Sequence, residues 1–151
     1  MIILIIIIIG LDQFTKFIFN NNLALNQPNP VIKGFFYLTL VHNRGAAFGI
    51  LRNQLSLFIL TSIFAIILIY LNLNKSAGNK KLPLNGVSLG LILAGALGNL
   101  IDRLFCGYVI DFLDFLIWPV FNVADSAITV GAILLGYSII KGNDKTLNSK
   151  S

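Results

Sequence analysis

Four stretches of this chain are long and apolar enough to cross a bilayer as helices, and nothing else in the sequence constrains the fold as much. A helix rises about 1.5 Å per residue, so crossing a hydrocarbon core of about 30 Å takes about 20 residues. Such stretches run from Met1 to about Phe19, Leu55 to about Leu73, Leu84 to about Leu104, and about Val123 to Ile140. Only 11% of the residues are charged and 56% are hydrophobic. An average soluble domain carries roughly a quarter charged residues, which excludes a water-soluble globule. The wealth of Ile, Leu and Phe excludes a disordered chain. The 151 residues suit one integral-membrane domain over positions 1–151, and no repeat, low-complexity tract or linker divides it. The expected fold is an all-α membrane protein of four transmembrane helices, with a small extracytoplasmic β element and an interfacial loop or helix.

The β element is expected between the first two spans. Asn20 to Pro30 is rich in Asn and Pro and reads as turns and irregular chain. Phe35 to Val41 is aromatic and β-branched and reads as a short strand, broken by His42-Asn43-Arg44-Gly45. Between the last two spans, Phe112 to Val123 is apolar but interrupted by Asp114 and Pro119. It reads as interfacial, with Trp118 as a headgroup anchor. The aliphatic run Ile2 to Ile9 resembles a signal-peptide core, yet no basic residue precedes it and no small-x-small site follows. A retained span is the better reading.

Net charge is +5, and nucleic-acid binding would need those charges gathered on one folded surface. They lie instead between and beyond the apolar runs. Lys75, Lys80 and Lys81 follow the second run, and Lys141, Lys145 and Lys150 follow the fourth. The positive-inside rule puts both groups, and with them both termini, in the cytoplasm. Asp111 to Pro119 lacks Lys and Arg and is expected outside, as is the longer loop bearing Lys33, Arg44 and Arg52. The lone Cys106 forms no internal disulfide and fits no zinc spacing. With one His and no Glu, neither a metal nor another cofactor is expected.

Polar residues cluster where apolar ones are expected. The third span ends with Asn99, Asp102 and Arg103, and the fourth begins with Asn122, Asp125, Ser126 and Thr129. These runs are antiparallel neighbours, so Asp102 and Asp125 reach one depth on the outer side. Asp12 and Lys16 reach it from the first span, and Asn43 from the loop. Asn99–Asp102 and Asn122–Asp125 are each three apart, on one helix face. Gly90, Gly95 and Gly98, with Ala94 and Ala96, permit close approach of a second backbone.

Two carboxyls in a partly dry site do not both ionise readily, which leaves one acid and one base near neutral pH. Aspartic proteases activate water in this way. Each residue also has a plain reading. Asn122 serves as an N-cap with Asp125 favoured by the helix dipole, and Asp12 with Lys16 forms an i,i+4 ion pair. Asp111 and Asp114 read as solvated loop acids, and His42 as a surface residue. The alternative function is a proton- or ion-conducting bundle, because acids inside membranes also mark relays. Acids spread through the bilayer would favour it, whereas here they gather toward one side.

In these segments the sequence resembles the lipoprotein signal peptidase family, also called signal peptidase II. The resemblance rests on Asp12-Gln13-Phe14-Thr15-Lys16, Asn43-Arg44-Gly45-Ala46-Ala47-Phe48-Gly49, and Gly95 through Arg103. It continues through Gly107-Tyr108-Val109-Ile110-Asp111-Phe112 and Phe121-Asn122-Val123-Ala124-Asp125. The resemblance implies a bacterial inner-membrane aspartic endopeptidase with Asp102 and Asp125 as the catalytic pair. It implies that Asn99, Arg103, Asn122 and Ala124 line the site, and that Asn43 and Gly45 reach in from the loop. Asp12, Lys16 and Asp111 are then structural or orienting. The implied substrates are diacylglyceryl-modified prolipoproteins, cut before the lipid-bearing Cys, and the implied inhibitor is the cyclic peptide globomycin. A β-sheet cradle and a mobile outer helix are implied as well. Membrane lipid is the expected surrounding, and the chain is expected to be a monomer.

Overall fold

The computed structural model describes residues 1–45, 54–77 and 83–147. Its elements are α1 (Ile2–Asn22), β1 (Pro28–Ile32), β2 (Phe36–Asn43), α2 (Leu55–Ala77), α3 (Pro83–Phe105), β3 (Val109–Asp114) and α4 (Val123–Leu147). Positions 46–49 of the loop motif lie outside the described residues, as do Arg52, Lys80, Lys81 and Lys150.

Each helix end has a local cause. α1 continues to Asn22, where the Nδ2 groups of Asn21 and Asn22 donate to the carbonyls of Phe17 and Ile18, at 2.9 and 2.7 Å. Both side chains fold back onto carbonyls one turn earlier, local bonds of the kind that compete with further helix. α3 opens on Pro83, whose fixed φ suits a first helical turn. Past the end of α3, Gly107 adopts φ +78° and turns the chain into β3. α4 is capped by Asn122, whose Oδ1 accepts the Asp125 N–H at 2.8 Å.

α3 is the central helix, touching α1, α2, α4 and β3. Ala94, Leu93, Leu100, Ala124 and Ala127 fill its buried faces. The close approach expected from its glycines is present at Gly95 and Gly98. A Cβ on Gly95 would strike the Ala124 carbonyl, and one on Gly98 would stand 2.6 Å from Asp12 Oδ2. Gly90 is looser, with Met1 Cγ at 3.5 Å from such a Cβ.

The expected β element is an antiparallel sheet of three strands, in the order β1-β2-β3. The strand read from Phe35 to Val41 is β2, and it extends through His42 and Asn43. Two further strands go beyond the single strand read from the sequence. Pro28–Ile32, read as irregular, is the exposed edge strand β1, where proline costs no ladder bond on its open side. Val109–Asp114, of which the sequence reading placed Asp111 onward in the outer connection, is β3 and is mostly buried. Pairing of Val41 with Asp111 and Asn43 with Val109 aligns the end of β2 beside β3. Phe112 lies inside, its ring 4.4 Å from that of Phe19.

Burial is inverted relative to a water-soluble protein. Asp12 is 0% and Lys16 2% exposed, while Ile2 and Phe17 on the same helix are 72% and 68% exposed. In water this would leave large apolar surface wetted and charges dry; in lipid it is the favourable arrangement. Among the described residues, Ile2–Asn22, Leu84–Phe105 and Val123–Lys141 are long and apolar enough to cross a membrane. The apolar part of α2, Leu55–Leu71, is shorter.

Candidate active site

The candidate catalytic and supporting residues named from the sequence fall into one hydrogen-bonded assembly, but in two layers. The front layer borders a cavity of about 270 Å³, whose wall includes Asn43, Gly45, Asn99, Arg103, Asp111 and Asp125. The back layer holds Asp12, Lys16, Asp102, Asn122 and Ala124, none of which is on that wall.

The back layer is organised by one ammonium. Lys16 Nζ lies 2.8 Å from Asp12 Oδ2, 2.8 Å from Asp102 Oδ2 and 3.0 Å from Asn99 Oδ1, which uses all three of its N–H groups. Asp12 Oδ1 accepts the Ala124 N–H at 2.9 Å, so a carboxylate of α1 meets the N-terminus of α4. Asp102 Oδ2 also accepts the Ile110 N–H at 3.0 Å, pinning β3 to α3. Gln13, quoted in the sequence only as part of a motif, ties the two back-layer carboxylates together. Its Nε2 lies 3.0 Å from Asp102 Oδ1 and 3.2 Å from both Asp12 Oδ2 and the Gly98 carbonyl.

This arrangement separates Asp102 from Asp125. Asp102 is 2% exposed and committed to Lys16, Gln13 and Ile110, with Lys16 and Asn99 intervening in the bonded path to Asp125. The carboxyl that shares the cavity with Asp125 is Asp111. Strand geometry explains why. Alternate residues of β3 face opposite ways, so Val109 and Asp111 reach the cavity wall while the Ile110 amide bonds backward to Asp102.

Three asparagines hold the two cavity acids. Asn99 Oδ1 accepts from Lys16 and from Asn122 Nδ2, so its own Nδ2 is turned to Asp125 Oδ1, at 2.7 Å. Asn122 Oδ1 is taken by the Asp125 N–H, and its Nδ2 lies 2.7 Å from Asp111 Oδ1. Asn43 Oδ1 accepts the Gly45 N–H at 3.0 Å, which leaves its Nδ2 for Asp111 Oδ2, also at 3.0 Å. Both oxygens of Asp111 thus accept an N–H, while no described hydrogen bond reaches Asp125 Oδ2.

Burial, and after it the charge of Asp125, raises the Asp111 pKa from 3.8 to about 7. The bonds from Asn43 and Asn122 and the charge of Lys16 oppose that rise without cancelling it. Arg103 stands on the cavity wall with its guanidinium 5.4 Å from the Phe58 ring centre and forms no ion pair with a described carboxylate. It is positioned to meet a carbonyl or carboxylate entering the cavity. A second, apolar groove of about 520 Å³ adjoins the first. The two share Trp118, Phe121, Asp125 and Thr129, and the groove adds Phe115, Ile117, Ser126 and Val130.

The two acids read from the sequence as solvated, Asp111 and Asp114, are both buried. Asp114 is buried, with Oδ2 accepting the Thr39 hydroxyl at 2.7 Å and Oδ1 the Leu116 N–H at 2.8 Å. His42 stays away from the cavity, stacked on Tyr108 at 4.0 Å and 2.9 Å from Asn20 Oδ1. Among the described residues, no group of three or more His, Cys, Asp or Glu is placed to hold a metal ion.

Known proteins match this chain over nearly their whole length. Residues 4–141 match the family model described as signal peptidase (SPase) II. A lipoprotein signal peptidase of Caldanaerobacter subterraneus is 50% identical over 144 residues, covering 92% of this chain and 94% of its own. That of Moorella thermoacetica is 45% identical over 139 residues, covering 92% and 91%. A solved bacterial membrane enzyme superposes with a TM-score of 0.84 at 32% identity, over 95% of this chain and 89% of the other. A family match through all five segments, and relatives aligned almost end to end, make this chain a member of the signal peptidase II family.

Proposed function

We propose that this chain is an aspartic endopeptidase of the bacterial cytoplasmic membrane, removing signal peptides from diacylglyceryl-modified prolipoproteins just before the lipid-bearing Cys. The reacting pair is Asp111 with Asp125, and Asp102 belongs to the scaffold. One observation carries this reading: Asp111 and Asp125 border one cavity, each steadied by an asparagine N–H, whereas Asp102 is sealed against Lys16.

The chemistry follows from that geometry. An Asp111 pKa of about 7 lets the pair hold one proton at neutral pH. Asp125, whose Oδ2 is reached by no described hydrogen bond, takes a proton from water as the water oxygen bonds to the scissile carbonyl carbon. Asp111 gives its proton to the carbonyl oxygen. Collapse of the tetrahedral centre returns that proton to Asp111, breaks the C–N bond and passes the Asp125 proton to the leaving amine. Acid–base assistance of this kind contributes about 10²–10⁴-fold. Arg103 and the Asn43–Gly45 segment hold the substrate backbone beside the pair.

The apolar groove supports a lipidated substrate, since it opens directly off the reaction cavity at Asp125. Burying an acyl chain contributes about 0.8 kcal/mol per CH₂, enough to hold a precursor at this depth. In this reading α2 is the fourth span, both termini are cytoplasmic, and the cavity lies near the outer face. The enzyme works as a monomer without a cofactor.

The test is cleavage of lipidated precursor by detergent-purified protein, with unlipidated precursor and globomycin as controls. Asp111→Asn and Asp125→Asn should each abolish turnover while the protein stays folded, and Asp102→Asn should retain measurable cleavage. Normal turnover by Asp111→Asn, beside complete loss in a folded Asp102→Asn, would return the acid role to Asp102. Ion flux in proteoliposomes without cleavage would favour a conducting bundle.

A further inference from the structure

Lys16 touches neither the cavity nor either cavity acid, yet it sits at the centre of the assembly behind them. Its ammonium is 2% exposed and spends its three N–H groups on Asp12, Asp102 and Asn99. The contact with Asn99 reaches furthest. The Oδ1 of that amide accepts both Lys16 Nζ and Asn122 Nδ2, so the amide has one permitted orientation. Turning it over would set an NH₂ group against an ammonium and a second NH₂. The permitted orientation aims Nδ2 at Asp125 Oδ1, 2.7 Å away.

We propose that Lys16 is a positioning residue for the proteolytic pair: acting through Asn99, it fixes the N–H given to Asp125, and it supplies a buried positive charge behind both acids. The proposal rests on the assignment of Asp111 and Asp125 as the reacting groups. The charged groups around Lys16 are Asp12 on α1, Asp102 and Arg103 on α3, Asp111 on β3 and Asp125 on α4. Two of the four acids, Asp12 and Asp102, are already paired to the ammonium. What remains of its field falls on the cavity acids, and its charge does act on Asp111 in the direction that favours ionisation. A helix-bracing ion pair would need only Asp12 and Asp102. The third bond, to an amide whose other end holds Asp125, is what a bracing role leaves unexplained.

The experiment is a double-mutant cycle between Lys16→Met and Asn99→Ala, read as kcat, KM and the pH dependence of cleavage. Thermal unfolding reports whether each variant is folded. Lys16→Met should lower kcat about 10- to 100-fold, as small displacements of reacting groups do, with KM little changed. Loss of a neighbouring positive charge raises a carboxyl pKa, so the alkaline limb of the pH profile, set by Asp111, should move up. Because Lys16 acts through Asn99, the double variant should be scarcely slower than Asn99→Ala alone. If Lys16→Met does not fold, Lys16→Arg takes its place. It keeps the charge but not the three-way geometry, so kcat should fall and couple to Asn99 while the alkaline limb stays put. Multiplying losses with an unmoved alkaline limb in the Met variant, or normal kcat in a folded Arg variant, would overturn the proposal. Asp111→Asn and Asp125→Asn are assayed alongside. Activity in either would sink the reacting-pair assignment itself, whereas inactivity in both with an uncoupled cycle would sink only the role of Lys16.

Discussion

Neutralising Asp111 should make the protein inactive and should narrow or reverse its stability deficit against its parent as pH rises. Burial and the Asp125 charge raise its pKa from 3.8 to about 7. A carboxyl with a raised folded-state pKa binds its proton more tightly folded than unfolded, so stability falls as pH rises from the unfolded value through the folded one. For shifts of this size, at about 1.36 kcal/mol per unit, the loss between about pH 5 and about pH 8 is about 2–3 kcal/mol. Asp111→Asn has no charge to bury. It does turn an N–H toward Asn43 or Asn122, where the carboxylate accepted from both. That conflict costs about 1–3 kcal/mol at every pH. The variant should therefore be the less stable protein near pH 5 and close the gap, or reverse it, near pH 8. Thermal unfolding of both proteins in one detergent across that range gives the measurement. At about 2–4 °C per kcal/mol, the difference in Tm should move by about 4–12 °C in favour of Asn. Asp125 and His42 titrate in both proteins, so the difference curve reports Asp111 and its coupling to Asp125. Parallel Tm–pH curves would refute the claim that this carboxyl is held protonated by its surroundings.

Two other perturbations probe the same assembly. A Cβ at Gly98 would stand 2.6 Å from Asp12 Oδ2 and 3.3 Å from Ala124 Cβ, and Asp12 is tied to Lys16 and to the Ala124 N–H. Gly98→Ala should cost about 1–3 kcal/mol of stability and reduce cleavage, checked by unfolding and turnover in one preparation. Asn43→Ala removes the N–H that Asp111 Oδ2 accepts and that favours its charged form. The Asp111 pKa should rise above about 7, carrying the alkaline limb of the rate profile upward; a limb that moves down would contradict Asp111 as the acid.

The helices were legible because period and length suffice for them: each apolar run exceeds what a soluble domain tolerates, and the structure carries a helix on all four. Asn122 as a cap, and the close approach at Gly95 and Gly98, followed from local chemistry that needs no tertiary knowledge. The sheet was harder to read. Pro28–Ile32 has the composition of a turn and becomes a strand only because β2 offers it a partner. β3 was obscured for a different reason. An acid within Val109-Ile110-Asp111-Phe112 looks like a loop beginning after a helix end, yet strict alternation in a β-branched run was the available signal that Asp111 and Val109 share a face.

Depth alone does not choose a partner for Asp125. Antiparallel helices do bring Asp102 to the same level, but a shared level does not decide which way a carboxyl points. Lys16 decides it, by claiming one oxygen of Asp102 while Gln13 claims the other. Neither preference shows in the spacing of Asn99 and Asp102, which suits either orientation.

The three asparagines show why the cavity acids are held so differently from the scaffold acids. An amide carries a donor and an acceptor, so it aims its N–H reliably only when its oxygen is already engaged. Asn43, Asn99 and Asn122 each have that oxygen engaged, by Gly45, by Lys16 with Asn122, and by the Asp125 amide respectively. They come from β2, α3 and the start of α4, so reorienting one breaks a bond anchored in another part of the chain. Donors fixed in this way need no rearrangement as charge moves during a reaction, which is the largest advantage a protein site has over water. A carboxylate in their place would repel the acids, and a lysine would clamp them ionised. In the proposed mechanism amides leave the Asp111–Asp125 pair free to exchange a proton, while Lys16 is kept one residue further back, where its charge acts without forming an ion pair with either.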